Sequence, residues 1–277
     1  MPFLGAGDDA TLDEPMTGHI SALFTYPIKS LSGQPLRGVR LEAGHGFPDD
    51  RRYGFARHDT PFDEEHPEPF PKARFLTLMR DEQLAGVRSR LESDGITLHL
   101  DLGSGPSTFD LSEATQRAQV AALVSERVGL SGGDMARLVS SASHCFTDVS
   151  VVSEEMMHSI SILNRASLEE VSARARVFLD PARFRANVIV DGWPPFFERD
   201  MVNRSISIGD VKLTVLMETK RCAATAVDPE TAQRDANVVE LLREHTGQPI
   251  LGVYARVDSP GDISIGDAVV GPPSTTR

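Results

Sequence analysis

A cysteine preceded by two cations is the residue of this chain best suited to chemistry. Lys220 and Arg221 come directly before Cys222, where a predicted strand ends. Positive neighbours favour the thiolate over the thiol, and the thiolate is both the nucleophile and the soft metal ligand. Cys222 is therefore a candidate catalytic residue and metal ligand. The alternative is a small apolar cysteine in the core, which is how we interpret Cys145, because it lacks such neighbours.

Two further clusters could bind an anion. Lys29 and Ser30 lie where a predicted strand passes into a loop, and they offer a charge and a hydroxyl donor to a phosphate oxygen. Arg183 and Arg185 are two residues apart at the start of a predicted strand, so both side chains would point to one side and clamp an anion. Asn187 adds a polar group there. Solvated loop residues and surface ion pairs with the many carboxylates are the alternatives.

The overall composition makes these cationic clusters informative. The 277 residues include 28 Lys and Arg against 40 Asp and Glu, a formal net charge of −12. This excess of carboxylates repels a phosphate backbone, so we expect no nucleic-acid partner, and a basic pocket has to form locally. The chain has two cysteines, which argues against a disulfide framework and favours a cytoplasmic protein.

Several common sequence signals are absent. No segment approaches the roughly 18 consecutive apolar residues of a membrane span, so we expect none. Residues 1–18 lack the basic and apolar regions of a signal peptide and are interpreted as a disordered leader. Phosphate-binding G-x-x-x-x-G-K-[ST], dinucleotide-binding G-x-G-x-x-G and zinc-binding H-E-x-x-H patterns do not occur, so those enzyme classes have no support.

The elements that must position the candidate residues are mostly short strands. Three are predicted between Ile20 and Arg57, and others at residues 96–102, 106–112, 186–192, 205–217, 251–257 and 263–270. Gly209 and Asp210 are predicted to form a hairpin turn. Residues 60–74 are rich in Pro and acids, which predicts a surface loop.

Three helices are predicted among the strands. The first spans residues 112–129, with Ser112 as its N-cap. The second begins at Ser153, and the third spans residues 236–245. The second buries three apolar residues, Met156, Ile160 and Leu163. Many short strands, few helices and no alternating βα units predict a β-rich α+β fold with barrel-like sheets.

Five segments, in chain order, resemble motifs of the MOSC family, which includes the molybdenum cofactor sulfurase C-terminal domain and the mitochondrial amidoxime-reducing component. They are YPIKSLSG at 26–33, DDRRYGF at 49–55, FTDVSVVSEEMMHSISILN at 146–164, RFRANVIVDG at 183–192 and KRCAATAVDPETAQRD at 220–235. The resemblance implies a molybdenum cofactor, molybdenum held by molybdopterin, between a MOSC N-terminal β-barrel-like domain and a MOSC β-barrel domain with a few helices. We accordingly assign residues 1–18 to the leader, 19–111 to the N-terminal domain, 112–271 to the MOSC domain and 272–277 to a tail.

The resemblance also implies roles for individual residues. The family's metal-ligating cysteine maps onto Cys222. Eight residues become candidates for holding the cofactor: Lys29, Ser30, Arg51, Ser153, Arg183, Arg185, Asn187 and Lys220. The chain departs from the family at Lys220, where close relatives have Ser or Thr, and at Ala232, where they have Gly.

The resemblance implies an oxidoreductase, with two alternatives. The leading hypothesis is a molybdenum-dependent enzyme that reduces small N-hydroxylated or N-oxide substrates by two electrons. The electrons would come from a separate reductase, or from a ferredoxin-type or cytochrome-type protein. In the first alternative Cys222 carries a persulfide, or the protein passes the cofactor to another enzyme. In the second the protein binds the pterin without redox chemistry.

Overall fold

A computed structural model describes residues 15–273 of the chain. The strands are β1 (Pro15–Thr25), β2 (Gln34–Leu36), β3 (Gly38–Leu41), β4 (Tyr53–Ala56), β5 (Arg88–Leu91), β6 (Thr97–Asp101), β7 (Pro106–Asp110), β8 (Arg137–Ser140), β9 (Ile160–Asn164), β10 (Val188–Asp191), β11 (Ser205–Ile208), β12 (Val211–Lys220), β13 (Ile250–Val257), β14 (Gly261–Ser264) and β15 (Ala268–Pro273). The α-helices are α1 (Ala114–Arg127), α2 (Glu154–Met157), α3 (Arg165–Ala175) and α4 (Val238–Thr246).

Seven strands close into a barrel. They follow the order β10-β9-β13-β12-β11-β15-β1, and the pairing of β1 with β10 closes the barrel. Strand β2 also pairs with β1 and is not part of the closed ring. The pair β9–β10 is parallel, and the other barrel pairs are antiparallel. Closure satisfies the backbone groups that an open sheet would leave at its edges. The predicted β-rich α+β fold with a barrel and few helices is confirmed.

The barrel interior is formed by alternate residues of its strands. In β12, Val211, Leu213 and Val215 are fully buried, and the residues between them are not. The hairpin between β11 and β12 turns at Gly209 and Asp210 as predicted, because Gly209 has a positive φ of 55°. The period-2 pattern thus fixes which side of each strand faces the barrel core.

A second core is built mainly from residues between β2 and β9. Strands β5, β6 and β7 form an antiparallel meander, β4 pairs with β8, and α1 packs Val120 and Val124 into the same cluster. Val227, from a distant part of the chain, also belongs to this cluster. The segment after β12 is therefore tied to both cores.

The predicted leader and the predicted tail both overlap with strands of the structure. Strand β1 begins at Pro15, so residues 15–18 of the predicted leader are paired with β15, through Pro273 and Val270 among others. Strand β15 in turn includes residues 272–273 of the predicted tail. The rest of the leader and tail, residues 1–14 and 274–277, lies outside the described residues. The domain boundary between 111 and 112 stays a prediction.

The helix predicted from Ser153 is wrong beyond its first turn. Ser153 does cap it, since its Oγ accepts a hydrogen bond from the Met156 N–H at 3.1 Å, but α2 ends at Met157. Ile160 and Leu163 belong to strand β9, all five residues of which are buried. A strand covered on both faces has no polar alternation, so its sequence resembles a buried helix. Helix α3 follows it and was not predicted.

The N-cap predicted for α1 is also wrong. The Ser112 hydroxyl donates to the Asp110 Oδ1 at 2.6 Å, and Glu113 precedes the helix without a side-chain cap. Within residues 15–273, no helix has both the length and the apolar character needed to cross a membrane.

Candidate functional site

A cavity of about 290 Å³ lies where five distant stretches of the chain meet. Its lining includes seven Lys or Arg side chains and three Asp or Glu side chains, the opposite balance to that of the whole sequence. Eight of the nine predicted site residues line it: Lys29, Ser30, Arg51, Arg183, Arg185, Asn187, Lys220 and Cys222. Ser153 does not, and acts as the N-cap of α2. The local concentration of cations is thus as the sequence predicted.

Cys222 reaches the cavity from the end of β12. The chain is extended at Cys222, with φ −122° and ψ 175°, so neighbouring side chains point to opposite sides. Lys220 and Cys222 therefore share one side, and Arg221 takes the other. The Cys222 carbonyl accepts hydrogen bonds from the Thr225 N–H at 3.1 Å and hydroxyl at 2.9 Å. These bonds begin the 3₁₀ turn Ala223–Ala226 and hold the half-buried sulfur in place.

Arg221 supports the site from behind. Its Nε donates to the Leu251 carbonyl at 2.7 Å and its Nη1 to the Phe184 carbonyl at 2.9 Å. Burial lowers the pKa of Arg221 to about 10. The prediction placed two cations beside the thiol. In the structure Lys220 is exposed and Arg221 is buried against backbone carbonyls.

A shared carboxylate holds two lysines at the cavity wall. The Asp148 Oδ1 accepts from the Lys29 Nζ at 2.5 Å, and the Oδ2 accepts from the Lys72 Nζ at 3.0 Å. Burial opposes ionisation of Asp148, but the two ammonium groups hold its pKa far below the usual range. Lys29 also donates to the Phe146 carbonyl at 2.9 Å.

Lys72 and Cys222 line the same cavity. Burial lowers the pKa of Lys72, but Asp148 and then Cys222 more than offset this, so its pKa is raised. Sequence reasoning missed Lys72, since a lysine in a Pro-rich loop carries no signal. It missed Asp148 as well, although that residue lies inside one of the five motif segments.

Two guanidinium groups lie against the ring of Tyr26. The Cζ atoms of Arg51 and Arg185 are 4.6 and 4.4 Å from the ring centroid. Arg51 pairs with Asp50 and donates to the Arg185 carbonyl at 2.9 Å, and Arg185 donates to the Leu31 carbonyl at 2.5 Å. Burial, and then the neighbouring Arg51, lower the pKa of Arg185 to about 10.

Unsatisfied polar atoms concentrate around the cavity. Within residues 15–273, eleven buried side-chain nitrogen or oxygen atoms have no hydrogen-bond partner, and six of them belong to lining residues. These six are Thr77 Oγ1, Thr147 Oγ1, Arg183 Nε, Arg185 Nη2, Thr219 Oγ1 and Arg221 Nη2. Because native proteins pair almost all buried polar groups, such a concentration indicates a polar ligand.

The strand geometry predicted for Arg183 and Arg185 is wrong. Residues Pro181–Phe184 form a 3₁₀ turn, and Arg185 has a left-handed φ of 52°, so the two side chains do not follow strand geometry. The Arg183 Nη2 is held by two carboxylates, Asp228 at 2.9 Å and Asp235 at 2.7 Å. The charge of Arg183 is therefore neutralised by the protein, although its Nε has no partner, whereas no carboxylate within residues 15–273 pairs with Arg185.

Asn187 joins three barrel strands. Its Oδ1 accepts from the Ser161 N–H at 3.0 Å and hydroxyl at 2.9 Å, and its Nδ2 donates to the Phe24 carbonyl at 3.2 Å. Ser161 belongs to β9 and Phe24 to β1, and Asn187 directly precedes β10. The amide lines the cavity, but these bonds make it chiefly a positioning residue.

Cys145 differs from Cys222 in its surroundings. Burial raises the pKa of Cys145 to about 11, so its thiol stays protonated at neutral pH. Its Sγ lies 3.9 Å from the His158 Nδ1, and it does not line the cavity. Among the described residues, no group of three or more His, Cys, Asp and Glu side chains is arranged to hold a metal ion.

Two family models match this chain. The model described as the MOSC N-terminal beta barrel domain matches residues 17–148, and the model described as the MOSC domain matches residues 142–270. The chain belongs to the MOSC family. The resemblance drawn from the five motif segments is confirmed.

Relatives of this MOSC protein include two kinds of curated protein. Mitochondrial amidoxime-reducing component 1 of Mus musculus is 33% identical over 120 residues, which is 39% of this chain and 35% of that protein. A molybdenum cofactor sulfurase of Caenorhabditis briggsae is 24% identical over 266 residues, 89% of this chain and 35% of that protein. The matches thus span about a third of each curated relative. Among solved structures, the YUAD protein from Bacillus subtilis matches with a TM-score of 0.44 and 14% identity, over 93% of this chain and 96% of that one.

Proposed function

We propose that this protein binds a molybdenum cofactor in the cavity, with Cys222 as a ligand of the metal, and reduces N-hydroxylated or N-oxide compounds by two electrons. The observation that carries the proposal is a half-buried thiol on the wall of a cavity lined by seven cations and three acids. A soft thiolate suits a metal of this kind. The names of the relatives, an amidoxime-reducing component and a molybdenum cofactor sulfurase, favour the same chemistry.

The residues present fit an anionic pterin cofactor. Lys29, Ser30, Arg51 and Arg185 offer charge and donors to its phosphate, and the unpaired Nη2 of Arg185 would gain a partner. Cys222 is a single protein ligand, so the metal would take its other ligands from the cofactor and from oxygen atoms. When bound, the cofactor supplies the two-electron chemistry.

The other lining residues hold the site in shape. Asn187 and Arg183 fix the strands and the turn around the cavity, as their hydrogen bonds indicate. Asp148 keeps the ammonium groups of Lys29 and Lys72 at the cavity wall, where partial burial strengthens their field. Lys220 remains at the exposed side of the cavity. A separate reductase, or a ferredoxin-type or cytochrome-type protein, would deliver the electrons. The proposal also includes a cytoplasmic location, which the low cysteine content favours.

The test compares two cysteine variants. The full chain is expressed in a molybdate-fed host that makes the cofactor, and molybdenum content and amidoxime-reducing turnover are measured. We expect Cys222→Ala to lose on the order of 100-fold in metal affinity or turnover, since even residues that only support a metal ligand cost about 10- to 100-fold. Cys145→Ala, the matched control, should keep both. A Cys222→Ala protein with full metal and full activity contradicts the proposal.

A second candidate function is sulfur transfer or cofactor delivery. It is favoured by the extent of the sulfurase match, which covers 89% of this chain against 39% for the amidoxime-reducing component. A thiolate at Cys222 could carry a persulfide. Mass spectrometry of freshly purified protein separates the candidates: a persulfide on Cys222 without turnover supports sulfur transfer, and bound pterin with turnover supports the reductase. Bound pterin with no redox response supports a binding protein.

A further inference from the structure

Two of the cavity's cations lie on the side of Cys222, apart from the arginines stacked on Tyr26. Lys72 lines the cavity together with Cys222, donates to Asp148 at 3.0 Å, and has a side chain that is 30% exposed. Lys220 is exposed, lines the cavity and lies two residues before Cys222, on the same side of the extended chain. Within residues 15–273, the Lys220 ammonium has no hydrogen bond or ion pair. A molecule that approaches the Cys222 sulfur from solvent would therefore meet these two lysines.

On the basis of the proposed function, we propose that the substrate carries an anionic group of its own, of the carboxylate or phosphate class. Lys72 and Lys220 would bind this group beside Cys222. The N–O group of the same molecule would then point towards the metal. This assigns two specificity-determining residues and a substrate class to the proposed reaction.

The charge balance supports this assignment. Asp148 neutralises one of the two lysines it contacts, so the Lys29, Lys72 and Asp148 cluster keeps a net positive charge, to which Lys220 adds. In a protein with a formal net charge of −12, an anionic molecule is repelled by most of the surface. A cationic entrance focuses such a molecule into the cavity and rejects cationic ones.

Other residues of the cavity lining would contact an apolar part of the substrate. Leu78, Val149 and Met217 line the cavity, and Met217 is 39% exposed. The substrate predicted by this surface is therefore amphipathic, with an apolar frame between its acidic group and its N–O group.

Lys72 is held in place by the loop that carries it. Within residues 60–74, the Thr60 carbonyl accepts from the Arg137 Nη2 at 3.0 Å, and a Glu64 carboxylate oxygen accepts from the Ser140 N–H at 2.6 Å. Phe62 is buried, with its ring centroid 5.1 Å from that of Phe146. The predicted surface loop is thus anchored at several points, which lowers the entropy that Lys72 loses when it binds an anion.

The experiment compares two substrates that differ in one charge. Benzamidoxime is neutral, and 4-carboxybenzamidoxime has the same frame with a carboxylate. With cofactor-loaded full-length protein, we expect the wild type to prefer the carboxylate compound in kcat/KM. Lys72→Met and Lys220→Met should each lower the ratio of the two kcat/KM values about fivefold, mainly through KM, as for the loss of a partly exposed ion pair. High salt should reduce the wild-type preference.

The matched control is Lys212→Met, an exposed lysine of β12 that does not line the cavity. For Lys212→Met, the ratio of the two kcat/KM values should equal that of the wild type. Because each ratio comes from one protein preparation, incomplete cofactor loading cancels. A wild type that reduces the neutral compound equally well or better, or lysine variants with an unchanged ratio, overturns this inference alone. A wild type that reduces neither compound overturns the proposed reductase function and this inference with it.

Discussion

The three polar side chains of the segment RFRAN differ in what they can still bind. Arg183 is held by two carboxylates, and the amide of Asn187 is satisfied by Ser161 and Phe24. Arg185, between them, is stacked on Tyr26 and keeps one buried N–H without a partner in the described structure. An unpaired buried donor costs about 1–3 kcal/mol. Arg183 also has one buried N–H without a partner, but its charge is neutralised by two acids, so Arg185 is the member of this segment best placed to gain from a bound phosphate.

Ala232 is a second residue whose conformation is informative. It stands where the family pattern has Gly, and its φ of 57° lies in the left-handed region that disfavours a Cβ. We expect Ala232→Gly to raise the free energy of unfolding by about 0.5–1 kcal/mol, the relieved strain less the added chain entropy. Urea unfolding followed by circular dichroism measures this.

The control for that substitution is Ala118→Gly, on an exposed position inside α1. At this helical position the same substitution should lower the free energy of unfolding by about 1 kcal/mol, because there is no strain of a left-handed backbone to relieve. Equal destabilisation by both substitutions would show that Ala232 is not strained.

The segment from Cys222 to Asp235 depends on residues outside it for its shape. Arg183 pairs with Asp228 and Asp235, and the Arg234 guanidinium donates to the Met79 carbonyl at 2.8 Å and to the Ala223 carbonyl at 3.1 Å. These contacts attach the turn that follows the candidate metal ligand to the 3₁₀ turn Pro181–Phe184 and to the backbone at Met79. Loss of one of them should move the sulfur as well as lower stability.

Arg183→Met tests this structural role. It removes the cation between Asp228 and Asp235, and we expect a loss of about 2 kcal/mol in unfolding free energy, less than for a fully buried pair because both carboxylates are partly exposed. Arg40→Met, which breaks an exposed ion pair with Asp262, should change stability by no more than about 0.5 kcal/mol. An Arg183→Met protein of wild-type stability that lacks only the cofactor would instead favour direct ligand binding by Arg183.

The two matched family regions share one barrel. Residues 142–270 contain the five strands β9 to β13 and half of β15, and the seventh strand, β1, comes mostly from the region 17–148. Strand β1 pairs with β10 on one side and β15 on the other. The C-terminal region alone would thus expose two strand edges.

Removal of β1 is expected to abolish cooperative folding. A chain of residues 26–277 leaves the edges of β10 and β15 unpaired, which favours aggregation over a monomeric fold. Size-exclusion chromatography and urea unfolding measure the result. A chain of residues 15–277 retains every described strand and should unfold near the wild-type midpoint. Monomeric, cooperative unfolding of the shorter chain would show that β1 is dispensable.

Local patterns were sufficient for much of the fold and for the identity of the candidate ligand. The turn at Gly209 and Asp210, the helix predicted at residues 112–129 and the cations before Cys222 all depend on residues within a few positions of one another. Backbone turn preferences, hydrophobic periodicity and the charge beside a thiol operate over that range, so the sequence alone reveals them.

Long-range packing decided the rest. Lys72 and Asp148 are 76 positions apart, and Arg183 and Asp228 are 45 apart, yet each pair forms an ion pair at the cavity. A charged side chain takes the partner that the folded chain brings within reach, and loop closure over such distances leaves no periodic trace in the sequence. For this reason Arg183 was predicted to bind an anion and is held by acids, while Lys72, a loop lysine without any motif, lines the same cavity as Cys222.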